Sequence, residues 1–189
     1  TVNGGTNLPF TATIPARSHG GGTAVAVPLS ALAVVNDRVV EAMENFTVTV
    51  QPNFNEYVLS STTSCNATGR STATINIRDN DGTIRVTKDA VPNDAQDFAF
   101  TTTGADFTAF SLDDDSNATL PNSRDFVLNA GNYSVTETAT SGWVLTNLVC
   151  TDPDSGTTVN LATALATIDL DAGETVACPY TNDKIQPLT

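Results

Sequence analysis

Positive charge is scarce in this 189-residue chain: 8 Lys and Arg stand against 21 Asp and Glu, for a formal net charge of -13 at pH 7. Phosphate backbones are bound by clustered Lys and Arg, so the balance excludes a nucleic-acid partner and disfavours anionic membrane surfaces. Histidine is nearly absent. The single one, His19, lies in His19-Gly-Gly-Gly22 with no Gly-x-Ser-x-Gly elbow anywhere in the chain. That run is read as a flexible glycine hairpin rather than part of a Ser-His-Asp arrangement. No apolar run is long enough to span a bilayer and no N-terminal signal pattern is present, so the chain is expected to be mature or excised and not membrane-inserted. Aromatic residues make up only 6%.

Threonine is the commonest residue, followed by alanine, with 40% hydrophobic residues overall. That is enough for one large or two modest domains, each with its own core. Thr, Val and Ile suit a pleated, half-buried surface, and no long stretch holds a helical period, so the fold class is all-β. The window 160–170 fits two patterns. Leu161, Leu165 and Ile168 would line a helix, whereas Ala164, Ala166, Ile168 and Leu170 alternate as in a strand. Strand is preferred because its neighbours read as strand.

Three alternating stretches each carry a polar residue on their apolar face. Lys88 shares the face of Ile84 and Val86; Glu137 follows Tyr133 and Val135; Asn182 follows Val176, Cys178 and Tyr180. Strand side chains alternate with period two, so all three polar groups are predicted to point inward. Unpaired buried charge is costly, and the three are therefore expected to meet. A desolvated lysine shifts toward the neutral, nucleophilic amine, and a buried carboxyl shifts toward its protonated form, which can polarise an asparagine carbonyl. Attack on that amide would expel ammonia and leave a Lys-Asn isopeptide. The plainer alternative is a buried Lys-Glu ion pair, with Asn182 merely ending a strand.

The residues that carry this pattern resemble a known family. Gly82-Thr-Ile-Arg-Val-Thr-Lys88-Asp, Ala130-Gly-Asn-Tyr-Ser-Val-Thr-Glu137-Thr-Ala, Gly142-Trp143 and Tyr180-Thr-Asn182-Asp-Lys occur in the order seen in prealbumin-like domains of bacterial surface proteins. These are the SpaA-type pilin domains and the B-type repeats of collagen adhesins. The resemblance covers residues 82–184, leaving 185–189 as a C-terminal tail. It implies Lys88 as nucleophile, Asn182 as amide partner and Glu137 as the proton-shuttling acid. Trp143 is then a core or rim anchor. Cys150 and Cys178 fall in strands of this same domain; a disulfide is the preferred reading, with an extracellular or periplasmic setting, and two buried free thiols the alternative. Cys65 is left over in a Ser/Thr-rich loop, either free or joined to another chain.

Residues 1–81 resemble a different family, the Calx-beta domain. The acidic loop around Asp37 and Glu41, the Glu44-Asn-Phe46 strand and the closing Asp79-Asn-Asp81 follow its order from about Phe10 onward. Strands that should precede Leu8–Ile14 are missing. The overall expectation is thus two tandem immunoglobulin-like or prealbumin-like β-sandwiches, the first lacking its N-terminal strands. A sandwich short of strands exposes core and unpaired edge amides. Either flanking domains of a longer chain complete it, or a neighbouring copy donates a strand head-to-tail, a contact that does not close and builds a filament.

By the same resemblance, Asp37, Glu41, Asp79 and Asp81 are the candidate Ca²⁺ ligands, a set that lacks the acids of the absent strands; a solvated acidic junction is the alternative. Asp113-Asp-Asp115-Ser-Asn117 begins like an EF-hand loop, but Ala118 and Arg124 stand where Gly and Glu belong, so it is read as a surface loop. Sequons at Asn45, Asn66, Asn117 and Asn132 are frequent enough in a Thr-rich chain to arise by chance. The expected role is a non-enzymatic structural piece of a bacterial extracellular filament or adhesin stalk at the cell surface. A calcium-dependent module binding a sugar, ice or host protein is the rival.

Overall fold

The computed structural model describes residues 37–49, 72–115, 117 and 119–186. His19, Cys65, Asn66 and the segment 8–14 lie outside them. Two compact units divide the chain, Thr1–Asp37 and Arg38–Thr189, and every described strand belongs to the second. β1 (Glu44–Thr49) and β2 (Thr72–Ile77) form an antiparallel two-stranded sheet. The remaining strands are β3 (Asp81–Val91), β4 (Asp94–Thr103), β5 (Phe110–Asp114), β6 (Ser123–Asn129), β7 (Gly131–Glu137), β8 (Trp143–Leu148), β9 (Thr158–Asn160), β10 (Leu165–Leu170) and β11 (Thr175–Lys184). They build two sheets, ordered β5-β4-β7-β10-β9 and β6-β3-β11-β8. The described residues are all-β apart from one short 3-10 turn. Asp81, placed by the sequence at the end of a first domain, is the opening residue of β3.

Alternation explains the core. Ile84, Val86, Lys88 and Ala90 on β3 are buried, as are Phe98 and Phe100 on β4, Tyr133, Val135 and Glu137 on β7, and Val176, Cys178, Tyr180 and Asn182 on β11. Two sheets packed face to face interdigitate such rows. Aromatic rings run along the seam: Phe107, Phe110, Phe126 and Tyr133 gather at one end. Phe100 stacks on Phe110 and meets Tyr180 edge-on, and Phe98 does the same with Trp143. The Tyr180 hydroxyl, which could not be left unpaired there, donates to the Val135 carbonyl at 3.0 Å and ties one sheet to the other.

Among the described strands, one pairing is parallel. β3 and β11, the first and last strands of the sandwich, are parallel neighbours, with Lys88 opposite Tyr180 and Asn182 opposite Ala90; all other pairs are antiparallel. The ambiguous 160–170 window resolves into both of its readings. Leu161–Thr163 is a 3-10 turn capped by the Asn160 side chain, and Ala164 is left-handed at φ 53°. Strand begins only at Leu165, with Ala166, Ile168 and Leu170 buried. Asparagine competes well as a helix cap, which is why the turn forms where alternation predicted strand.

Gly82 is needed for close approach. A Cβ there would lie 2.6 Å from the Asp171 carbonyl oxygen and 2.8 Å from the Leu170 side chain, and the backbone contact cannot move cheaply. Gly82→Ala is expected to cost roughly 1–3 kcal/mol, the usual penalty of overpacking. A urea unfolding midpoint equal to that of the parent would contradict the close approach.

Candidate isopeptide centre

β3, β11 and β7 deliver three polar side chains to one point between the sheets. Lys88, Asn182 and Glu137 are only 1%, 4% and 5% exposed. Lys88 Nζ donates to Asn182 Oδ1 at 2.8 Å, to the Tyr180 carbonyl at 2.9 Å and to the Asp89 carbonyl at 3.2 Å. The Phe98 ring closes the site, its centroid 4.2 Å from Nζ. Glu137 reaches in from the opposite sheet, with Oε1 at 3.6 Å from Nζ. That is ion-pair distance but longer than a hydrogen bond. Neither Glu137 oxygen has a donor at full hydrogen-bond geometry, although the Asn182 amide stands close enough to act on the carboxyl.

Burial shifts both groups toward their neutral forms. Burial pushes the Lys88 amine below its ordinary value, opposed by the charges of Glu137, Asp89 and Asp114. Burial likewise pushes the Glu137 carboxyl up, against the pull of Lys88 and Asn182. Desolvation penalises whichever form is charged, so the acid rises and the base falls. The hydrogen bond to Oδ1 holds the Lys88 amine against the amide group whose carbon it would attack.

Local structure aims the asparagine. Between Thr181 and Asn182 the pairing of β11 with β8 slips by a residue, Thr181 facing Asn147 and Asn182 facing Leu145. Bulges of this kind redirect a side chain. Phe98, the slip and the neighbouring acid Asp114, which accepts from the Ala90 amide at 3.0 Å, carried no sequence signal of their own. Cys150 and Cys178 are joined as a disulfide, Cys178 being on β11, next to the centre.

Asp79 accepts from the backbone amides of Glu41 (2.7 Å) and Asp81 (3.1 Å), the work of a loop-tying acid, and Asp81 is buried. Asp37 belongs to the other compact unit. Among the described residues, acidic ligand atoms lying within 4.8 Å of one another are those of Asp152, Asp154 and Glu174, which the sequence reading passed over. Asn45, Asn117 and Asn132 are exposed. Trp143 is buried, with Lys184 over its ring at 5.3 Å. No helix among the described residues is long and apolar enough to cross a membrane.

Two sheets closed by a parallel first-and-last strand pair, with a Lys-Glu-Asn cluster between them, define a prealbumin-like sandwich. The profile of the SpaA prealbumin-like fold domain matches residues 84–184, and the chain belongs to that family. Residues 1–81 lie outside the match, as does their likeness to Calx-beta domains. Comparison with curated proteins gives no match. Among solved structures, the chain is similar to the TIE protein of Bacillus anthracis (17% identity, 61% of this chain and 18% of that one, TM-score 0.36). It is also similar to the minor pilin of Streptococcus agalactiae (13%, 67% and 59%, 0.36). A third is the major pilin of Streptococcus pyogenes (14%, 79% and 68%, 0.33). The chain thus spans less than two thirds of the first two.

Proposed function

We propose that this chain is a non-catalytic structural module of a bacterial extracellular fibre or adhesin stalk, and that Lys88 and Asn182 close an isopeptide bond with Glu137 as the acid. The observation that carries the reading is the buried placement of the Lys88 amine on the Asn182 amide with Glu137 beside both. A proton passes from Lys88 to Glu137, and the neutral Nζ attacks Asn182 Cγ while protonated Glu137 hydrogen-bonds the carbonyl oxygen. The Nζ–Cγ bond forms, the Cγ–Nδ2 bond breaks, and Nδ2 leaves as ammonia with the proton shed by Nζ. Glu137 returns its own proton, so the net loss is one ammonium ion. This chemistry is self-directed and turns over once, which is why the module is not an enzyme.

Partners on this reading are copies of the chain arranged head-to-tail or flanking domains of a longer polypeptide. The setting is the cell surface. Covalent ties suit it because proteolysis and forced unfolding follow open-state populations and opening rates. The intact mass of the reduced, denatured chain tests the bond. It is expected to fall short of the sequence mass by one ammonia, and the Lys88→Ala chain should show its full sequence mass. A parent chain at full mass would leave only the ion pair.

A further inference from the structure

A second buried acid sits at the far end of β5, outside the centre. Alternation fails there: Leu112, Asp113 and Asp114 are all buried in succession. Asp114 is explained by the Ala90 amide that it accepts. Asp113 has no such account. It is 1% exposed, its Oδ1 has no hydrogen-bond partner, and its Oδ2 receives only a long contact of 3.4 Å from the Thr119 hydroxyl. The charged groups nearest to it, Asp115, Asp97 and Asp114, are all acidic. A desolvated carboxylate with an orphaned oxygen and only anions around it lacks a cation.

The loop supplies the rest of a coordination set. Asp113, Asp115, Asn117 and Thr119 occupy alternate positions, the spacing of the first four ligands in an EF-hand loop. Their polar atoms form a contiguous chain. The Thr119 hydroxyl lies 2.5 Å from Asn117 Oδ1 and 3.4 Å from Asp113 Oδ2, and the Asn117 amide nitrogen contacts Asp115 Oδ2. The Asp113 carboxyl therefore faces into the loop. On the other side the ladder opens: the register of β4 with β5 shifts between Asp94 and Phe98, which brings Asp97 to the Asp113 end. Arg124, where an EF-hand has its glutamate, lies over the Phe126 ring at 4.9 Å and takes no part.

We propose that Asp113, Asp115, Asn117 and Thr119 bind a hard divalent cation, calcium by their oxygen donors, with Asp113 as the buried ligand and the other three completing the protein side. Water fills the remaining positions, since calcium takes six to eight oxygens. The loss of the bidentate glutamate points to the weak, extracellular range of affinity rather than to a sensor.

The test is calorimetric titration of the chelator-treated full chain with calcium chloride. A saturable one-site heat is expected in the parent, absent in Asp113→Asn and in Asp115→Asn, and unchanged in Asp152→Asn and Glu41→Gln. Asp115 has no core role, so its variant reports on binding even where Asp113→Asn fails to fold. Absence of saturable heat in the parent overturns the proposal. So does heat that persists in Asp115→Asn, or that disappears in Asp152→Asn or Glu41→Gln instead.

Discussion

Lys88→Met is expected to lower the thermal midpoint by roughly 6–20 °C. Removing one partner of a buried pair costs about 3–5 kcal/mol because the other charge is stranded, and each kcal/mol is worth about 2–4 °C in a chain of this size. A cross-link contributes differently, since Lys88 is then a neutral amide. Lys88 and Asn182 are 94 residues apart, and closing a loop of that length contributes about 4–5 kcal/mol by restricting the unfolded chain. The two contributions separate in the double variant Lys88→Met with Glu137→Leu, which removes both charges. An ion pair alone predicts near-recovery of the midpoint, since apolar replacement of a buried pair is often neutral. A covalent bond predicts a lasting deficit of about 4–5 kcal/mol.

The single variant also has a pH signature. Burial already holds the Glu137 carboxyl above its ordinary value, and loss of Lys88 removes the charge that pulled it down. The folded state then binds a proton that the unfolded state releases. Its contribution is fully present below the unfolded glutamate value and lost as pH rises through the folded one. Lys88→Met is therefore expected to unfold at a higher temperature in acid than at neutral pH, relative to the parent. Parallel pH profiles for the two proteins would contradict a stranded Glu137.

The second large effect lies at the disulfide. Cys150 and Cys178 are separated by 28 residues, a span that holds β9, the 3-10 turn and β10. Chain entropy assigns such a loop about 3.5 kcal/mol. Cys150→Ala with Cys178→Ala is expected to lose that amount in urea unfolding, and reduction of the parent should reproduce the loss. An unchanged midpoint in both would mean that neighbouring contacts already restrict the loop.

Much of this architecture was legible because strand alternation is a local property. Ile84, Val86 and Lys88 share a face by spacing alone, as do Tyr133 with Glu137 and Tyr180 with Asn182, so their burial could be read before any pairing was known. The parallel alignment of β3 with β11 is a different kind of fact, set by contacts between distant segments that leave no periodic trace. Phe98 beneath the amine, the register slip at Thr181 and the sheet from which Glu137 arrives all depend on it. Leu161–Thr163 was misassigned as strand because a capping side chain outweighed a weak alternation. Asp113 and Asp114 were read as part of a surface loop from two absent residues, yet both are buried, because burial of a carboxylate at a strand end has no signature in composition.

The parallel pairing of β3 and β11 also has a mechanical meaning. Tension applied through Asp81 at one end and Lys184 at the other pulls the two strands past each other along their length. The ladder from Thr175 opposite Thr83 to Asp183 opposite Val91 is then loaded in shear, all rungs together, whereas a hairpin pulled from its open end gives way one rung at a time. A bond between Lys88 and Asn182 would bridge that same pair near the exit of β11, so the pulling force would travel through covalent links from β3 directly into the tail, with the rest of the sandwich carrying little of it.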